Sequence, residues 1–249
     1  MSDRAAADSR RGVGSHPLYF ESIFVERELR SRRKSRARPG DSTRRPGRFF
    51  LQETTPAWER WAKLHLKRSH PYQEFRHHGA AGGLALLSKT PFDDVAFVES
   101  PVGWFPGWAV LVQTQLGPVQ VLNVHLHPPV TNDGNFVLGF FSTGDEREEE
   151  LSAFLDELDP KWPTLVVGDF NGASGAALRH AESRGLICAL HEVNPGANTW
   201  YWPLGPIMLR NALDHILHDN MLGVVDAWTL DLGESDHIPI VSIFSSTSN

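Results

Sequence analysis

The sequence predicts an α/β sandwich, and three observations carry that expectation. Short runs such as Gly83–Ser88 (GLALLS) and Thr164–Phe170 (TLVVGDF) are apolar on both faces, as strands held between two layers are. Among them lie segments with helical spacing. The clearest is Glu146–Leu158 (EREEELSAFLDEL), where Leu151, Phe154, Leu155 and Leu158 share one face. With 249 residues, 41% of them hydrophobic, the chain has the apolar side chains for a sizeable core.

Taken in order, FFLQE from Phe49 reads as a short buried strand. Thr54-Thr55-Pro56 reads as a helix start, because proline supplies the fixed φ of a first helical turn, and AWERWAKLHLKR continues it with helical spacing. Strands are expected next at GLALLS, DVAFVES and WAVLVQTQL, and after the Gly117-Pro118 turn at VQVLNVHLH. The amphipathic helix Glu146–Leu158 precedes the strand TLVVGDF. Next come the helix ASGAALRHAESRG, ended by Gly185, and the late strands ALDHILH and HIPIVSIF. The sequence carries no internal repeat.

A single cysteine, Cys188, excludes an intramolecular disulfide and fits a reducing compartment. No apolar run approaches the length of a membrane span. The N-terminal HPLYFESIFVERE is broken by Glu21, Glu26 and Glu28, so it offers no signal-peptide core. The expectation is a cytoplasmic monomer. The net charge of −6 hides two unlike parts: residues 1–48 hold thirteen Lys and Arg against six acids, leaving a net of −13 for residues 49–249. An acidic body is a poor match for a dedicated nucleic-acid binder. The arginine-rich RELRSRRKSRARPGDSTRRPGR is expected to be a disordered, solvated segment, with a nucleic-acid arm as the alternative.

Polar residues gather at strand ends. In LVVGDFNG, Asp169 and Asn171 alternate to the same side, roughly 6–7 Å apart at their bases. Gly168 and Gly172 flank them and allow a turn or a close backbone approach. A surface turn is the plain alternative, since Asp, Asn and Gly favour turns. Asn123, His125 and His127 share one face of VQVLNVHLH, and Asp214 sits inside the apolar ALDHILH, where an unpaired acid is costly. Asp236-His237 lies where a loop enters the last strand.

Four segments in this order resemble the endonuclease/exonuclease/phosphatase superfamily of metal-dependent phosphoesterases: FLQET with Glu53, VLNVHLH with His125, VVGDFNG with Asp169 and Asn171, and NALDHIL followed by SDHIPI. The resemblance covers about residues 49–244. It implies a four-layer sandwich of two mixed sheets flanked by helices. It also implies a Mg²⁺ ion, with Mn²⁺ as a substitute, held by Glu53 and Asp236. Asp169 would orient and deprotonate the attacking water, and Asn171 would hydrogen-bond the phosphoryl oxygens or that water. His237, oriented by Asp214, would donate to a non-bridging oxygen. His125 would stand near the leaving group. Arg147 matches a recurrent arginine, as suited to a structural ion pair as to a substrate role.

One departure stands out. Members of the family open with a strand carrying an asparagine into the site, and residues 1–48 contain none. The expectation is therefore that the first strand is missing or replaced, with residues 1–48 either a divergent arm or, the favoured account, an aberrant segment read in a shifted frame or from a misplaced start, ahead of a domain at 49–249. Three other readings stay open: a catalytically impaired member acting as a binding protein, a calcineurin-like metallophosphatase, and a Zn²⁺ site at His125 and His127. The aromatic segments PVGWFPGW and NTWYWPLGP either touch a base or lipid or pack as core. The phosphate-ester substrate, whether nucleic acid, lipid or small molecule, is left undecided.

Overall fold

Each predicted strand closes its backbone hydrogen bonds in one of two six-stranded sheets. The computed structural model describes residues 22–26, 46–79, 81–129, 143–231 and 235–247. The first sheet is built from β1 (Ser22–Glu26), β2 (Arg48–Leu51), β3 (Tyr72–Arg76), β4 (Leu84–Ser88), β13 (Leu222–Thr229) and β14 (Ile240–Ser246), in the order β13-β14-β1-β2-β4-β3. The second contains β5 (Phe92–Val98), β6 (Gly107–Thr114), β7 (Gly117–His125), β8 (Thr164–Asp169), β9 (Ile187–Cys188) and β12 (Asp214–His218), in the order β5-β6-β7-β8-β12-β9. Both are mixed: β1 runs parallel to β14 and β7 parallel to β8, and the other pairings are antiparallel.

The apolar side chains sort into layers. Phe50, Leu86, Ile240 and Phe244 of the first sheet pack against Trp108, Val121, Val167 and Ile216 of the second, forming the central core. On the outer face of the first sheet, Leu51, Ala85 and Leu87 receive Trp58 and Ala62 of α1 (Pro56–His65). Thr55 caps that helix by accepting from the Trp58 amide at 3.2 Å. On the outer face of the second sheet, Leu122, Val124 and Val166 bury Leu151 and Phe154 of α2 (Gly144–Leu155) and Ala177 and Ala181 of α3 (Ala176–Ser183). The result is the expected four-layer sandwich, with a short α4 (Ala189–Val193) beside β12.

Two expectations are sharpened. Ser22–Glu26 occupies the centre of the first sheet, paired with β14 from Ser22↔Ile240 to Glu26↔Phe244 and with β2 from Ser22↔Phe50 to Phe24↔Arg48. The first strand that the resemblance implies is thus replaced rather than missing. SIFVE carries no asparagine. The disorder expected for the arginine-rich stretch falls on residues 27–45, outside those described, except at its end, where Arg48 is buried as the first residue of β2. Second, Asp214 is the first residue of β12 rather than its middle, which lets its side chain reach the rim. The segment NTWYWPLGP, unassigned in the sequence, supplies the first strand of a third, two-stranded sheet, in which β10 (Trp200–Leu204) pairs with β11 (Ile207–Asn211). No helix among the described residues is long and apolar enough to cross a membrane.

Candidate active site

The floor of the site is fixed by register. Asp169 ends β8, and its direct cross-strand partners are His125 in β7 and Asp214 in β12. Neighbouring strands lie roughly 4.7–4.9 Å apart, so three ionisable groups form a row on one face. Gly168 makes the row possible. It has φ +134°, and a Cβ there would lie 1.9 Å from the Val124 carbonyl oxygen. Behind it the Gln52 side-chain amide donates to the Asn123 Oδ1, and Asn123 Nδ2 donates to the Leu51 carbonyl at 3.2 Å, tying the two sheets beneath the floor.

Beyond β8 the backbone turns sharply. Asn171 adopts φ +50°, its amide donates to Asp169 Oδ1 at 2.7 Å, and its Nδ2 donates to the Leu126 carbonyl at 2.9 Å. The surface-turn reading of LVVGDFNG is thereby overturned: both side chains are buried and fastened to the floor. The other sheet contributes from loops. Glu53 comes just after β2 with φ +53°, and Asp236-His237 lies ahead of β14. His237 Nδ1 donates to both carboxylate oxygens of Asp214 at 3.0 Å. Ligand atoms of Asp169, Asp214 and His237 all lie within 4.8 Å of one another, a group that could hold a cation. Glu53 and Asp236 are outside that tight group. Even so, the charges of Asp236, Asp214 and His237 act on Glu53, so both loops face the same rim.

Burial dominates the electrostatics. It pushes the Asp169 carboxyl up to about 6, with the His237 charge opposing and Asp214 adding to the rise. It also raises Glu53, against His237 and with Asp236 and Asp214. Burial lowers His125, whose Nδ1 donates to the Ala81 carbonyl at 3.1 Å. Its Nε2 stands 3.6 Å from Asp169 Oδ2. The site is a set of carboxylates short of positive charge. That donor set fits a hard divalent cation, which would relieve the repulsion that burial amplifies.

Further residues hold the site in place. Thr199 is fully buried. Its Oγ1 accepts from the amides of Leu213 and Asp214 at 2.9 and 3.0 Å, and its carbonyl accepts from the Ile238 amide at 2.6 Å, so one residue ties β12 to the His237 loop. A lone threonine gives no sequence signal for that role. Trp200 Nε1 donates to Asp236 Oδ2 at 3.0 Å, which spends one of the two oxygens expected on a metal. Arg147 Nη1 donates to Thr143 Oγ1 at 2.7 Å and to the His127 carbonyl at 3.3 Å, holding α2 to the end of β7, while its charge also reaches Asp169. In the aromatic loop, Phe105 is buried with its ring 4.6 Å from His125, and Trp104 lies 4.5 Å from the His127 ring. The His127 Nδ1 bonds the Pro128 carbonyl at 2.6 Å, so His125 and His127 are engaged on separate carbonyls rather than turned to a shared ion.

Residues 49–237 match the model of the Endonuclease/Exonuclease/phosphatase family. The chain belongs to that family. Its members hydrolyse phosphoester bonds, and the calcineurin-like alternative is set aside. Three solved structures share the fold. An endonuclease/exonuclease/phosphatase from Beutenbergia cavernae is 22% identical with a TM-score of 0.60, covering 79% of this chain and 62% of its own. This chain therefore spans under two thirds of that relative. TDP2 from D. rerio, complexed with a single-strand DNA product, is 16% identical (TM-score 0.64, 81% and 86% covered). The 3′ phosphatase NExo from Neisseria, bound to a product DNA hairpin, is 19% identical (TM-score 0.63, 80% and 89% covered). No curated protein gives a significant sequence match.

Proposed function

We propose that this chain hydrolyses phosphate esters by metal-assisted attack of water. The observation that carries the reading is the row His125–Asp169–Asp214 on one strand-end face, with His237 fixed onto Asp214 from the opposite sheet. In this scheme Asp169 takes a proton from water as the water oxygen bonds to phosphorus. The bond from phosphorus to the leaving group breaks, and its electron pair departs on that oxygen, which takes a proton from solvent. His237, its Nδ1–H held by Asp214, donates from Nε2 to a non-bridging oxygen in its doubly protonated form. Asn171 directs its second amide hydrogen at the same oxygens or at the water.

The sequence expectation put His125 near the leaving group. Its burial and its bond to the Ala81 carbonyl favour a different place, behind Asp169, setting that carboxyl's orientation and charge. Glu53 and the remaining oxygen of Asp236 are the groups we assign to the cation. When bound, Mg²⁺ or Mn²⁺ would supply charge neutralisation and Lewis-acid polarisation of the phosphoryl group.

The test is hydrolysis of bis-p-nitrophenyl phosphate and of p-nitrophenyl phosphate by the purified 249-residue chain, with Mg²⁺ and with EDTA, beside Asp169→Ala. Magnesium-dependent turnover lost in the variant is the expected result. A folded chain inert on both substrates would favour the second reading, a member that binds without turning over. The observation behind that reading is an opening strand, SIFVE, without the family's asparagine.

A further inference from the structure

The hairpin β10–β11 is a two-stranded sheet of its own, joined to the sandwich at the active site. Its root is the site's wall: Trp200 bridges to His237 and bonds Asp236, and the Tyr201 amide donates to the Asp236 carbonyl at 2.9 Å. From that root the strand runs outward through Leu204, a reach of roughly 13 Å at 3.3 Å per residue. The outer part is apolar and exposed: Trp202 49%, Leu204 57%, Ile207 61%, Met208 47% and Leu209 40%. Among the described residues it gathers five of the large apolar side chains most open to water, within eight positions. Scattered singly such residues mean little, but a contiguous patch marks an interaction site.

Charge decides the occupant. The ten residues Trp200–Leu209 carry no formal charge, and the next, Arg210, lies over the Tyr201 ring at 5.6 Å. The body behind the hairpin, residues 49–249, holds a net of −13. A polyanion is bound through many cations at its phosphates, and Trp200–Leu209 offers none. A second copy covering the tip would stand over the rim that substrate must enter. An uncharged apolar medium with a polar boundary fits better: aliphatic side chains at the tip to enter it, and two parallel tryptophans, Trp200 and Trp202, nearer the root to sit at its edge.

We propose that the β10–β11 tip docks on a zwitterionic phospholipid layer and brings the site to the phosphoesters of its headgroups. The inference rests on the phosphoesterase reading above and supplies its substrate class. The test is co-flotation of the full chain with phosphatidylcholine vesicles, at low and at high salt, for wild type and for Ile207→Ser/Met208→Ser. Soluble bis-p-nitrophenyl phosphate turnover and thermal unfolding are followed in parallel. The expected result is vesicle binding that survives high salt and weakens at least tenfold in the double variant, with turnover of the soluble diester and the unfolding temperature unchanged. Wild type that stays off the vesicles, or a variant that floats equally well, overturns the inference. So does hairpin-dependent binding of a single-stranded oligonucleotide in preference to vesicles. Hairpin-dependent flotation without any diester turnover would instead leave the docking surface standing and remove the phosphoesterase reading.

Discussion

The two sheets furnish the candidate site in different ways. The β7-β8-β12 sheet presents His125, Asp169 and Asp214 as cross-strand partners, so the ladders themselves fix their spacing. The other sheet presents Glu53 and Asp236-His237 from loops, with Glu53 on a left-handed backbone and His237 joined to its neighbour by a single bridge at Trp200. A geometry set by main-chain pairing tolerates little adjustment, which suits the groups that must meet the reacting atoms. A geometry set by loops can adapt to an ion and a substrate. The floor, with His237 acting through its bond to Asp214, should therefore govern turnover, and Glu53 and Asp236 on the wall should govern what is bound.

Asp169→Asn should produce the largest effect. It keeps the shape of the floor and the bond from the Asn171 amide but removes the base, so kcat should fall by ~10³–10⁴-fold at saturating Mg²⁺. Asp214→Asn should come next with a loss of ~10²–10³ in kcat, because His237 loses the carboxylate that holds its Nδ1–H and orients its ring. Neither loss should yield to added metal. Glu53→Gln should behave otherwise. It is expected to raise the Mg²⁺ concentration for half-maximal activity about tenfold, ~1.4 kcal/mol, with activity recovered when Mg²⁺ is raised. A metal titration of initial rates checks all three. If Glu53→Gln lost kcat irretrievably, or Asp169→Asn were rescued by Mg²⁺, the division of labour between the sheets would be wrong.

The same contrast explains what the sequence disclosed. Asp169 and Asn171 were legible because a buried strand ends on them, and alternation alone puts them on one side. His125 and Asp214 were legible as polar interruptions of apolar runs. Glu53, Asp236 and His237 sit on loops, where no periodicity exists: the Asp236-His237 pair was visible only as a polar entry to the last strand, and Glu53 only through the family resemblance. The strands that went unread are those with little apolar pattern. β3 and β13 are the two edges of the first sheet, half-exposed, with β13 also losing register between Val224 and Asp226. The hairpin is open to water on both faces, so its apolar residues do not alternate with polar ones. Thr199 and Gln52 act through neighbours distant in sequence, and nothing local announces them.

The smallest effect concerns how the floor's outer end is held. Glu150 of α2 is fully buried; its Oε1 accepts from Ser100 Oγ at 2.7 Å and its Oε2 from the His127 amide at 2.6 Å, just beyond β7. Burial pushes its carboxyl up to about 7 from an ordinary 4.5, against those two bonds and the Arg147 charge. A raised carboxyl means that the folded chain holds a proton the unfolded chain releases. Its contribution is therefore fully present below pH 4.5 and is lost as pH rises through about 7, by ~3 kcal/mol in all. Glu150→Gln keeps a carbonyl for the His127 amide, while Ser100 can turn to accept from the new amide, so the fold should persist without the titration. Between pH 4.5 and pH 8 the Tm of wild type should fall ~5–10 °C further than that of the variant. Because Asp169 and Glu53 titrate upward as well, the difference between the two proteins is the quantity to read, not either curve alone. Parallel curves would show that Glu150 is ionised in the fold at little cost, and that the end of β7 is held by the charged Arg147–Glu150 neighbourhood rather than by a buried neutral acid.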